Sequence, residues 1–117
     1  MTRSNTTTTL SAPQIHAIGL RTAGGLMLTE AFYWDMNDET RAWSKRFTER
    51  NKGVIPTYIM AGAYSAATHY LKAVQAAGTD EGKAVAAKMK ATPINDFQMK
   101  NVSIREDGQV MRPIYIV

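Results

Sequence analysis

Few side chains in this sequence have the type and spacing that catalysis needs. His16 and His69 are the only two histidines, and neither has a histidine partner at the H-x-x-x-H spacing that would put two ring nitrogens on one metal. A surface or hydrogen-bonded histidine is the simpler reading of each. Ser44 and Ser65 lack the G-x-S-x-G frame that lifts a nucleophilic serine out of a turn. Gly24-Gly25 precedes an apolar run instead of following one, the wrong order for a loop that cradles phosphate. Acid–base work by Glu30 or Asp35 would need a positioned partner that the pattern does not supply. The chain does not read as an enzyme.

Binding is better served. Phe32-Tyr33-Trp34-Asp35 places three rings beside one carboxylate, a set that could wall a small-molecule cleft, with polar tips fixing orientation. The same rings could equally be a core strand packed under helices, and spacing alone favours that plainer role. Tyr58 and Tyr64 flank the start of a long apolar helix, whose free N–H groups could meet a carboxylate. Ordinary helix packing is again the favoured reading.

The chain has 117 residues, room for one small domain. It is 44% hydrophobic and 21% charged, which argues against disorder throughout. Its net charge of +4 is spread along the sequence, whereas nucleic-acid binders gather theirs into a patch. No nucleic-acid partner is indicated. The absence of cysteine removes disulfides, thiolate metal sites and cysteine nucleophiles together. No metal or other cofactor is indicated. No run approaches the roughly 20 apolar residues of a membrane span. The first ten residues have no apolar core of the kind a signal peptide carries.

These features sit on a coarse order of elements. Residues 1–10, with four consecutive threonines, read as a disordered leader. Ser11 or Ala12 before Pro13 opens a short helix or turn that Gly24-Gly25 closes. Leu26 to Trp34 reads as a strand, with Leu28, Glu30, Phe32 and Trp34 on one face and Glu30 marking an exposed stretch. Asn37 or Asp38 caps a helix that buries Trp43 and Phe47. A long helix from about Thr57 to Ala77 follows, with Met60, Ala63, Ala67, Tyr70 and Val74 as its packed stripe. Thr79-Asp80 caps another helix, anchored by Val85 and Met89 and limited by Pro93. Val102 and Ile104 then alternate into a hairpin at Asp107-Gly108. Pro113 bends the chain before a last strand, Ile114 to Val117.

Read as one string, His16 to Asp35 strongly resembles the type I periplasmic binding proteins, in particular the branched-chain amino acid group that serves ABC importers. The likeness continues through Asn37-Asp-Glu-Thr-Arg-Ala-Trp-Ser-Lys-Arg-Phe47, Ala61-Gly-Ala-Tyr-Ser-Ala66, His69 to Val74 and Ile104 to Val110. It covers nearly everything after Ser11. Members of that family are several times longer, with two α/β lobes joined by three crossing strands and closing over a ligand. The resemblance is to their C-terminal third alone.

The resemblance implies an α/β fold class, as a fragment of the two-lobed fold: a strand, three helices and hairpin or crossing strands. Residues 11–117 would form this partial domain. Leu26 to Trp34 would run into the hinge, the helices would belong to the first lobe, and the last strand would return beside the first. The parent would be a periplasmic solute-binding protein that captures a small carboxylate by lobe closure and hands it to an ABC permease. An amino acid or an aromatic acid would fit. Tyr33, Trp34, Asp35, Tyr58 and Tyr64 carry over as cleft-lining residues, although Ser65 stands where many relatives have Asp. Helices without their sheet would expose apolar faces, so a homo-oligomer or a need for a partner fragment follows. The alternative is a stand-alone remnant that only self-associates.

Overall fold

The computed structural model describes residues 11–116. The expected leader lies outside them, as does Val117 of the expected closing strand. In chain order the elements are α1 (Ala12–Ile18), α2 (Leu20–Ala23), β1 (Thr29–Glu30), α3 (Asp38–Arg50), α4 (Tyr58–Ala77), α5 (Gly82–Ala91) and β2 (Tyr115–Ile116). They divide into two compact units. Residues 11–58 with 113–116 form the first, and Ile59–Arg112 the second.

In the first unit, Ser11 caps α1 and its N–H donates to Gln14 Oε1 at 2.7 Å. Gly19, at φ 95°, ends α1 in a conformation that other residues adopt only with strain. β1 and β2 pair antiparallel, Thr29 opposite Ile116 and Glu30 opposite Tyr115. The end of the chain therefore lies beside its early strand, as the resemblance implied.

The expected strand from Leu26 to Trp34 is mostly not strand. Thr29–Glu30 form the strand, with Leu28 in a bridge before them, and Phe32 lies beyond the ladder with its ring edge-on against Trp43 of α3, 5.7 Å between centroids. Residues 34–37 then turn into the helix. The alternation in burial survives, with Glu30 and Phe32 buried and Thr29 and Tyr33 exposed. Glu30 therefore does not mark an exposed stretch.

α3 follows its sequence signals. Asn37 Oδ1 accepts the Thr40 N–H at 3.0 Å, and Thr40 Oγ1 accepts the Asn37 N–H at 3.0 Å. That reciprocal pair satisfies two N–H groups at the helix start. Trp43 and Phe47 meet one turn apart, 5.3 Å between ring centroids.

The second unit is built on α4, and its packed face differs from the expected stripe. Ala61, Ser65, His69 and Ala73 are buried, whereas Met60, Ala63, Ala67 and Tyr70 are exposed and Val74 is half-buried. The small side chains of the buried line let the segment after α5 come close, and hydrogen bonds secure it there. The Ser65 hydroxyl donates to Asp96 Oδ2, and the Gln98 amide donates to the Ala61 carbonyl at 2.9 Å. Asp96 Oδ1 also accepts the Gln98 and Met99 N–H groups at 2.9 and 2.8 Å.

α5 is capped by Glu81, not by Thr79 or Asp80, since its carboxylate reaches the Lys83 and Ala84 N–H groups. Those two bonds hold the Glu81 carboxyl below its ordinary value. Val85 is buried as expected, and Met89 half so. The hairpin at Asp107-Gly108 forms with Gly108 at φ 89°, but as a single bridge between Ile104 and Val110. A second bridge joins Ile94 to Val102, over a small core of Ile94, Met99 and Val102.

Asp96 is the acceptor on which this unit turns. Asp96→Ala is expected to destabilise the chain by about 2 kcal/mol, as the loss of a charged acceptor does, with Asp96→Asn intermediate. Urea unfolding followed by circular dichroism reads this directly. A loss below about 0.5 kcal/mol, the range of ordinary surface changes, would show that the network carries little.

Candidate functional site

The turn between β1 and α3 holds three of the five residues singled out from the sequence. Tyr33 and Trp34 are tilted neighbours with ring centroids 5.8 Å apart, Tyr33 exposed and Trp34 half-buried. The turn is tied locally by the Tyr33 N–H, which donates to Met36 Sδ at 3.3 Å. Asp35 is exposed, but its Oδ1 accepts from Arg41 at 2.8 Å. The other Arg41 nitrogen donates to Asp38 Oδ1 at 2.6 Å.

The two carboxylates push the Arg41 guanidinium further toward its charged form. Asp35 is thus half of a surface ion pair, presented beside two rings. Arg41 was not singled out from the sequence. The Asp38–Arg41 spacing of i, i+3 signals their contact, but the reach to Asp35 depends on the turn.

Tyr58 is half-buried where α4 begins. Tyr64 lies in the second unit, exposed, with its ring edge 5.8 Å from Phe97 by centroid. The five residues are therefore spread over both units.

The second unit brings together a serine, a histidine and an aspartate, and their bonding is not that of a catalytic triad. In a triad the histidine stands between the other two. Here Ser65 donates straight to Asp96, while His69 Nε2 lies 3.1 Å from the Met89 carbonyl and so carries the proton. His69 is a satisfied, buried histidine. A cavity of about 200 Å³ beside it is lined by Thr68, Lys72, Ala73, Ile94 and Asp96, among others. Among the described residues no three His, Asp or Glu side chains gather to hold a metal. No described helix is long and apolar enough to cross a membrane.

The least expected group is Glu30. It is 6% exposed, and its Oε2 has no hydrogen-bond partner. The Ser44 hydroxyl is likewise buried and unpartnered. Burial raises the Glu30 carboxyl above its ordinary value of 4.5 by penalising the charged form.

Residues 2–117 match the model of the periplasmic binding protein family. The chain belongs to that family. Its backbone superposes on a periplasmic binding protein from Burkholderia mallei with a TM-score of 0.87, at 38% identity over 92% of this chain. A branched-chain amino acid ABC transporter periplasmic ligand-binding protein from Burkholderia xenovorans LB400 gives 0.84, at 38% identity over 89%. A leucine-binding protein from Thermotoga maritima MSB8 shares the fold, with a TM-score of 0.72 at 22% identity over 91%.

This chain spans 28% of each Burkholderia protein and 31% of the Thermotoga one. None of the curated proteins matches it. It is a fragment of the two-lobed type I periplasmic binding protein fold, mainly helical within the stretch described. The family consists of binding proteins and not enzymes.

The Glu30 environment sets a pH dependence. Because the folded carboxyl titrates above its ordinary 4.5, the folded state holds that proton more tightly than the unfolded chain does. The stability this confers is complete below the ordinary value and is lost as pH rises through the raised one. Glu30→Gln is expected to be more stable than the parent at neutral pH and to lack that decline. Thermal unfolding of both proteins from pH 4 to 8 compares them, and parallel profiles would refute the assignment.

Proposed function

We propose that this chain is the C-terminal part of a periplasmic solute-binding protein that captures a small carboxylate, an amino acid in first place, by lobe closure and delivers it to an ABC permease. The observation that carries this reading is the match to the Burkholderia xenovorans ligand-binding protein, 38% identical with a TM-score of 0.84. Type I lobes bind by enclosing a ligand, so affinity comes from cleft shape and a few hydrogen bonds, with no bond made or broken. Tyr33 and Trp34 offer ring faces to an apolar side chain, Tyr58 and Tyr64 offer hydroxyls at the start of α4, and Asp35 is held by Arg41 at the edge of the aromatic pair. The exposed ring of Tyr33 also suits an aromatic acid.

The test uses a chimera in which this chain replaces the matching stretch of the Burkholderia xenovorans protein. Calorimetric titration with leucine, isoleucine, valine, phenylalanine and benzoate is expected to show saturable binding of one ligand class. Trp34→Ala is expected to weaken it about tenfold, or about 1.4 kcal/mol. A folded chimera that binds none of these would sink the reading.

A second behaviour is proposed for the isolated chain. Ile114, just before β2, and Ile116, within it, are 66% and 73% exposed, which favours association with further copies. Light scattering is expected to find dimers or larger species at micromolar concentration. A monomer throughout would remove this part.

A further inference from the structure

His69 has two ring nitrogens, and the second unit uses one of them. Nε2 lies 3.1 Å from the Met89 carbonyl and donates to it, so in the neutral ring Nδ1 is a bare acceptor. The residue is only 6% exposed, and among the described residues Nδ1 has no hydrogen-bond partner. Unlike Glu30 Oε2 and Ser44 Oγ, it is not sealed inside the protein, so it opens on the cavity that His69 helps to line. An acceptor so placed has lost most of its water, and a donor in the cavity would recover that cost.

The cavity lies wholly within the second unit, between one face of α4 and residues 92–96. His69, Ala73 and Ala76 follow one another at steps of four and three on that face. The two alanines leave open the room that larger side chains would fill, and Pro93 and Ile94 line the space from the other segment. Its volume of about 200 Å³ exceeds the roughly 150 Å³ of a cavity that admits benzene. One ring with a small substituent fits.

The polar groups narrow the choice of occupant. Asp96 also lines the cavity, but its carboxylate already accepts from Ser65, Gln98 and Met99. An anion would sit beside that carboxylate, and an ammonium group would find its oxygens taken. Lys72, the one cation of the lining, is exposed and keeps its ammonium in water. We propose that this cavity binds a small uncharged molecule of one-ring size, apolar except for a single O–H or N–H group that donates to His69 Nδ1. None of Tyr33, Trp34, Asp35, Tyr58 and Tyr64 lines it, so the proposal stands apart from the solute-capture reading.

Phenol is the probe, and toluene, of the same size without a donor, is the control. Each is titrated into the isotope-labelled full chain, and both histidines are followed in long-range proton–nitrogen spectra. His69 Nδ1 is expected to shift and to saturate at about millimolar phenol, an affinity in keeping with so small a ligand. Exposed His16 is the internal reference and is expected to stay still. Toluene is expected to bind at least fivefold more weakly, because it leaves Nδ1 unpaired.

Two variants test the place and the charge. Ala76→Leu puts a larger side chain into the cavity from an exposed helix position that leucine suits. It is expected to weaken phenol binding at least fivefold with the circular dichroism unchanged. Lys72→Met is expected to leave the affinity within twofold, since the ligand carries no charge. Equal affinities for phenol and toluene would overturn the proposal. So would undiminished binding to Ala76→Leu, or shifts that grow without saturation at both histidines.

Discussion

The edge-to-face contact between Phe32 and Trp43 determines what the first unit can present. It draws Phe32 off the β1 ladder and onto α3, and the residues between must then turn. That turn leaves Tyr33 outward, Trp34 half-covered and Asp35 within reach of Arg41. Aromatic pairs of this geometry add about 0.5–1.5 kcal/mol beyond the area they bury. More important here is direction: a stiff ring set against Trp43 orients the backbone that carries the two rings after it. The exposure of Tyr33 and the half-exposure of Trp34 thus accompany a core contact made by their neighbour.

The second unit solves its packing differently. Its buried helix face is made of alanines, a serine and a histidine, which have little apolar bulk to bring together. Hydrogen bonds take over the role of specifying the fit, with Asp96 accepting from a hydroxyl and two amides, and His69 donating to a carbonyl. Such a network is favourable only when every member is satisfied, since a half-paired buried group costs more than an apolar one. Here the serine, the aspartate and the histidine each find a partner within the unit. The arrangement leaves the bulky residues of α4 for a different surface.

This division explains what could be read from the sequence. α3 was legible because its signals are local: an Asn cap, acids in the first turn, and Trp43 one turn from Phe47. The fold family was legible because long runs of side chains match, independent of any one contact. The α4 stripe was legible as a pattern and misassigned in direction. Periodicity reports that Met60, Ala63, Ala67, Tyr70 and Val74 share a face, but not that the unit packs on the other one, where Ala61, Ser65, His69 and Ala73 are buried. The strand through Trp34 failed for a related reason, since β propensity cannot tell a ring that pairs in a ladder from one that leaves it for a helix. The Arg41–Asp35 pair and the burial of Glu30 depend on backbone turns that no spacing rule encodes.

Glu30 and α4 point to one physical conclusion from opposite chemistries. A carboxylate oxygen sits buried without a donor, and a row of large apolar side chains sits in water without a cover. Each is unfavourable by itself. The backbone between them is nonetheless that of relatives more than three times as long, at TM-scores of 0.84 and 0.87. Local capping, the aromatic contact and the Asp96 network each act within one unit, and none of them partners Glu30 Oε2 or covers the large side chains of α4. The contacts that define each unit are local, and they leave both costs in place.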